Sequence, residues 1–253
     1  MSDRGPSAYL EHPSRAYAGA VVWRRRVRAE SVTVLPDGCM DLLWLDGRLV
    51  VAGPDTRVQH STAGPATAVY GIRFAPGTAP ALLGVVAPEL LNSRVDLDRL
   101  WPARRVRHMA DLVTAAPDPA AGLEEIARRC AAAAGPPDPL LTQIVWRLDA
   151  GASVGDTAVA LGLGARRLHR ISVAAFGYGP KLLARILRMR RALELARSDI
   201  GLADTAALAG YADQAHMSRD IRALTGRPPG RTIGTPERAH PGTRSREVQP
   251  SGA

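Results

Sequence analysis

The stretch from Gly210 to Gly230, GYADQAHMSRDIRALTGRPPG, sets polar side chains on an apolar spacing between two glycines. Met217, Ile221 and Leu224 recur at helical intervals, so they turn toward a core and leave Gln214, His216, Arg219 and Arg222 on the outward face. A face of that composition points at a partner rather than into the protein. What partner it meets depends on the sequence around it.

The stretch is half of a duplication. In VGDTAVALG and LADTAALAG, Asp156, Thr157, Ala158 and Gly162 match Asp204, Thr205, Ala206 and Gly210 at an offset of 48, and beyond the glycine the offset becomes 49, so that Leu168 matches Met217 and Arg170 matches Arg219. Gly177-x-x-Pro180 and Gly226-x-x-Pro229 close the two units. Each has the grammar of a helix-turn-helix: a small residue, Ala158 or Ala206, lets two helices approach, and four positions on a glycine permits the positive φ of a sharp turn. The second helices then present Arg166, Arg167, His169 and Arg170 in the first unit and Gln214, His216, Arg219 and Arg222 in the second. Arginine bonds guanine and glutamine bonds adenine in bidentate fashion, so these side chains suit base edges and phosphates of double-stranded DNA. His216 reads either as a contact or as a cap that braces its helix.

The charge supports the same partner. The chain carries +9 at neutral pH, and the segment 163–198 alone holds nine basic residues against one acidic, Glu194. Net charge of this sign favours anionic partners and, at several phosphates, salt-dependent binding. Pro180 to Arg197 reads as one helix spanning roughly 27 Å at ~1.5 Å per residue, long enough to carry two recognition helices toward successive major grooves about 34 Å apart.

Upstream the pattern changes to short strands, AGAVVWRRRVR, SVTVLP, MDLLWL, RLVVAG and ATAVYGIRF, with Asp46-Gly47 as a hairpin turn. PALLGVVAPELL predicts a short helix and AGLEEIARRCAAAA a firmer one, before the prolines of GPPDP, 135–139, interrupt. The reading is an α+β multidomain chain: a β-rich N-terminal sensor or dimerisation domain over 1–110, a helical connector over 111–137, an all-α domain with two helix-turn-helix units over 138–232, and a disordered tail over 233–253.

Residues 138–231 resemble the AraC/XylS family of bacterial transcription regulators, whose DNA-binding domain carries two helix-turn-helix units joined by a long helix. LADTAALAGYADQAHMSRDIRALTGRPPG is similar to the family's second unit nearly end to end, including the run from Gln214 to Arg219. The first unit departs from the pattern: Ser172 and Val173 stand where a large apolar residue and often a basic one are expected, which implies a less firmly anchored recognition helix. The segment LPDGCMDLLWLDGRLVVAGPD, with VYGIRFAPGTAPALLGVVAPELLNSRVDLDRLW, is similar to an uncharacterised β-rich domain found upstream of such units in actinobacterial regulators. The resemblance implies a sequence-specific transcriptional regulator and not an enzyme, controlled at the N-terminal domain. It admits a small-molecule effector, RNA polymerase and a second copy of the chain as further partners, with no membrane and no cofactor.

Other chemistry is sparse. Two cysteines, Cys39 and Cys130, and six scattered histidines give no metal-ligand spacing, and there is no phosphate loop or nucleophile elbow. Cys39 in PDGCMD reads as a small buried side chain near a turn, the alternative being an alkylation- or redox-responsive thiol. Asp37 and Asp41 beside it read as turn formers, the alternative of general acids having no partner at a useful spacing. The WRRRVR run, 23–28, reads as an exposed sheet face, the alternative being a second anionic contact. With no apolar leader and no run of about 18 uncharged apolar residues, the expectation is a soluble cytoplasmic protein.

Overall fold

The computed structural model describes residues 9–27, 32–61, 67–198 and 200–233. In chain order the strands are β1 (Tyr9–Pro13), β2 (Val21–Val27), β3 (Val32–Val34), β4 (Met40–Leu45), β5 (Arg48–Ala52), β6 (Gln59–Ser61), β7 (Thr67–Phe74) and β8 (Arg94–Asp96). An antiparallel sheet runs β1-β2-β7-β4-β5-β8, and β3 pairs with β6 apart from it. Strands β2, β3, β4, β5 and β7 fall inside the expected segments, whose ends at residues 28, 31 and 66 lie outside the described residues. Asp46 and Gly47 take φ of 48° and 76°, the two positive values that a tight hairpin between β4 and β5 requires.

One face of the sheet carries an unbroken apolar row. Val22, Ile72, Leu42 and Val51 are successive cross-strand partners, each 1% exposed or less. Helices α1 (Ala79–Leu83), α2 (Ala103–Ala115) and α3 (Pro119–Ala134) complete this core, with Leu123, Ile126 and Ala127 of α3 fully buried in it. Each side chain of this kind stabilises by about 1.5–3 kcal/mol on burial. The span 111–137, expected as a connector, therefore holds the end of α2 and all of α3, which share the sheet's core.

The other face is polar at its centre. Trp23 packs over Gly71, where a Cβ would lie 2.3 Å from the ring, and its Nε1 donates to Asp41 Oδ1 at 2.6 Å. Arg73 is 0% exposed, and its Nε lies 3.4 Å from Asp41 Oδ1 and 3.5 Å from Asp37 Oδ2. Asp37 forms the expected turn, its Oδ1 accepting from the Cys39 amide at 2.9 Å, whereas for Asp41 the expectation is corrected: it sits in β4, and both carboxylates compensate a buried guanidinium that would otherwise be costly.

The helices α4 (Pro139–Asp149), α5 (Val154–Ala160), α6 (Ala165–Phe176), α7 (Pro180–Ala196), α8 (Leu202–Ala209), α9 (Gln214–Thr225) and α10 (Pro229–Thr232) surround a second core that includes Ile144, Leu168, Leu187, Leu193, Met217 and Ile221. Thr232 is 1% exposed and bonds the Pro228 carbonyl at 3.0 Å, and Ile233 packs on the same core. Residue 233 thus belongs to the folded domain rather than to a tail, because α10 carries the chain back onto α9. The remainder of the expected tail, 234–253, lies outside the described residues.

Candidate nucleic-acid interface

The two units α5–α6 and α8–α9 are built on matching buried positions. Thr157 and Thr205 are 0% exposed, Ala158 and Ala206 line the helix crossings, and Gly162 and Gly210 turn the chain with φ of 62° and 83°. Leu168 in α6 and Met217 in α9 anchor the second helices at 0% exposure. That placement leaves Arg166, Arg167, His169 and Arg170 exposed on α6, and Gln214, Arg219 and Arg222 exposed on α9. Among the described residues none bonds or ion-pairs with the guanidinium of Arg166, Arg167, Arg170, Arg219 or Arg222.

The two histidines differ from these arginines. His216 is half-buried, its ring set edge-on to Tyr211 at 5.2 Å, and its Nδ1 lies 3.4 Å from the Ala212 amide. Its own amide donates to Asp213 Oδ1 at 2.6 Å, the N-cap of α9. That geometry braces the helix start. His169 lies against the turn into α7, its Nε2 2.9 Å from where a Cβ on Gly179 would sit.

The connecting helix corrects the charge reading. Of the nine basic residues in 163–198, four on α7 are engaged within the protein. Asp220 on α9, 8% exposed, accepts from Arg185 Nε at 2.8 Å and from Arg188 at 3.2 Å. Arg188 also stacks over Tyr211 at 4.4 Å, and burial pushes that phenol up to about 12. Arg190 is 4% exposed and pairs with Glu194, and Arg191 donates to the Ala209 carbonyl at the end of α8. Much of the helix's positive charge is therefore internal scaffolding. Sequence reasoning missed Asp220, although the repeat pairs it with Ile171 and so marks a carboxylate at an apolar position.

The same repeat exposes what α6 lacks. Gly164, the counterpart of Asp213, offers no capping side chain. Ser172, the counterpart of Ile221, is 0% exposed with its hydroxyl unsatisfied. An unpaired buried hydroxyl costs about 1–3 kcal/mol.

Residues 157–234 match the helix-turn-helix domain family, and residues 6–96 match a domain of unknown function (DUF6597). The chain carries an AraC-type helix-turn-helix domain. Among solved structures it is similar to apo ToxT from Vibrio cholerae, at 9% identity and TM-score 0.49 over 87% of this chain and 98% of that one. It is also similar to a probable AraC family transcriptional regulator from Rhodopseudomonas palustris, at 21% identity and TM-score 0.33 over 38% of this chain and 95% of that one. A third similar structure is the C-terminal domain of AraT, a response regulator from Geobacillus stearothermophilus, at 18% identity and TM-score 0.36 over 46% of this chain and 94% of that one. No curated protein matches in sequence. The AraC-type domain supports a DNA-binding transcriptional regulator.

Beyond the AraC-type domain the chemistry is thin. Cys39 is 3% exposed, and burial, reinforced by Asp37, pushes its thiol well above the usual range. A thiol so placed stays protonated and is a poor nucleophile. Among the described residues no group of three or more His, Cys, Asp or Glu could hold a metal ion, and no helix is long and apolar enough to cross a membrane.

Proposed function

We propose that the chain is a sequence-specific transcriptional regulator whose helices α6 and α9 read successive major grooves of one duplex. The observation that carries the reading is the outward row of unpaired guanidinia on two helices whose opposite faces are buried at matching positions. In this reading Arg166, Arg167, Arg170, Gln214, Arg219 and Arg222 meet base edges and phosphates. His169 and His216 hold the helices that present them. Helix α7, 17 residues long, spans roughly 26 Å at ~1.5 Å per residue, commensurate with one turn of DNA. A gel shift with the chain's own promoter region tests it: specific complexes that weaken with salt are expected, and binding indifferent to both sequence and salt contradicts it.

Control by an effector belongs to the same proposal. A groove of about 350 Å³ on the β1–β2–β7 end of the sheet is lined by Leu10, Arg24, Arg25, Arg26, Ala68 and Tyr70, with no acidic residue among them. Leu10, Arg24 and Tyr70 are cross-strand neighbours on one face, so an apolar wall stands beside positive charge. Such a groove suits a small amphipathic anion. Thermal shift with a panel of aromatic and aliphatic carboxylates tests this part, Arg24→Ala being the variant that should lose the response.

A further inference from the structure

One loop of the N-terminal domain reaches the C-terminal ends of both recognition helices. Pro54 Cγ lies 2.8 Å from where a Cβ on Gly177 would sit, in the turn that ends α6, with the Ala87 carbonyl and Leu91 closing the same spot at 3.2 and 3.3 Å. Further along the loop, the Val58 amide donates to the Leu224 carbonyl of α9 at 2.9 Å. Val58 Cγ1 also lies 3.9 Å from a Cβ built on Gly226. Carbonyls in the last turn of a helix lack intrahelical donors, so this bond satisfies an acceptor that α9 alone leaves open.

The loop is stiff. The Gly53 amide bonds the Ser93 carbonyl at 2.9 Å and the Asn92 amide bonds the Pro54 carbonyl at 3.0 Å. Asn92 Oδ1 then accepts from the Thr56 amide at 2.9 Å, the Thr56 hydroxyl at 3.0 Å and Gln59 Nε2 at 3.4 Å. Arg94 clamps Asp55 in bidentate fashion at 3.0 and 2.7 Å. All these donors and acceptors lie in the N-terminal domain, so the loop is a fixed part of it.

Within its own unit α6 is the less well held helix, with no side-chain cap, an unsatisfied Ser172 and an apolar Ile171 where α9 has its Asp220 tether. We infer that the loop from Gly53 to Gln59, stiffened by Asn92, fixes α6 relative to α9 and so sets the half-site spacing the chain accepts on DNA. The inference rests on the DNA-binding reading above. A one-base-pair change of spacing moves a half-site by about 3.4 Å and rotates it by about 35°, which a braced pair of helices cannot follow.

The test uses the full chain and the DNA sequence it selects from a random pool, with the segment between half-sites lengthened or shortened by one base pair. Wild type is expected to lose about tenfold or more in affinity on either change. Asn92 has φ of 55°, so Asn92→Gly keeps the backbone while deleting the acceptor, and it should shrink that loss to about threefold or less. Asn92→Asp retains an oxygen for the same three donors and should restore the wild-type penalty. Pro54→Ala, which trims the contact on Gly177, should act like Asn92→Gly and serves if that variant melts early. An unchanged spacing penalty in Asn92→Gly and Pro54→Ala would overturn the inference and leave α7 alone as the ruler. A wild-type chain that selects no DNA sequence at all would instead overturn the DNA reading, and this inference with it.

Discussion

Arg219 and Arg185 are the same residue type in the same domain, and their surroundings give them different roles. Arg219 points outward with no partner among the described residues, whereas Arg185 ends on the carboxylate of a buried Asp220. Arg219→Ala should therefore cost roughly 1–3 kcal/mol of specific binding in a competition gel shift, with non-specific binding little changed. Asp220→Asn should instead lower stability on the order of 1–3 kcal/mol in urea unfolding, because it weakens the pairing of two half-buried guanidinia, while base preference persists. Ser172→Ala removes an unsatisfied buried hydroxyl and should raise stability by about 1 kcal/mol. Cys39 offers a negative control for the alkylation-responsive alternative: mass spectrometry of the folded chain after methylating treatment should find it unmodified. Modification without unfolding would revive that alternative.

At the scale of elements, α9 and α6 are unequal copies. Helix α9 has the Asp213 cap, a large apolar Ile221 and the Asp220 tether, while α6 has Gly164, Ser172 and Ile171 at those places. Amide hydrogen exchange in the free chain should accordingly be faster along α6 than along α9, and equal protection would contradict the comparison. The duplication was legible because a repeated framework of small, apolar and glycine positions leaves its period in the sequence. The weakness of α6 was legible too, from Ser172. Strand β1 was not, since YLEHP has no alternating apolar pattern and gains its place by pairing with β2. Strands β6 and β8, of three residues each, are likewise made by their neighbours. Helix α2 keeps Val106, Met109 and Val113 on one face, but its polar composition masks that stripe. Nothing local marks Asp37, Asp41 and Arg73 as one cluster either, because β4 and β7 bring them together only in the folded sheet.

For the whole molecule, two cores meet at the loop from Gly53 to Gln59, which touches the turn after α6 and the end of α9, so the proposed reading ties the placement of both helices to the N-terminal domain. The excess positive charge of the chain is divided between scaffold and surface, and in the proposed reading only the surface share is placed to meet a duplex. Hydroxyl-radical footprinting of the full chain on a DNA sequence selected from a random pool tests the central claim most directly. The account predicts two protected patches on one face of the duplex, about 10.5 base pairs apart, with Arg170→Ala weakening one and Arg219→Ala the other. A single patch, or two that both substitutions weaken alike, would contradict it.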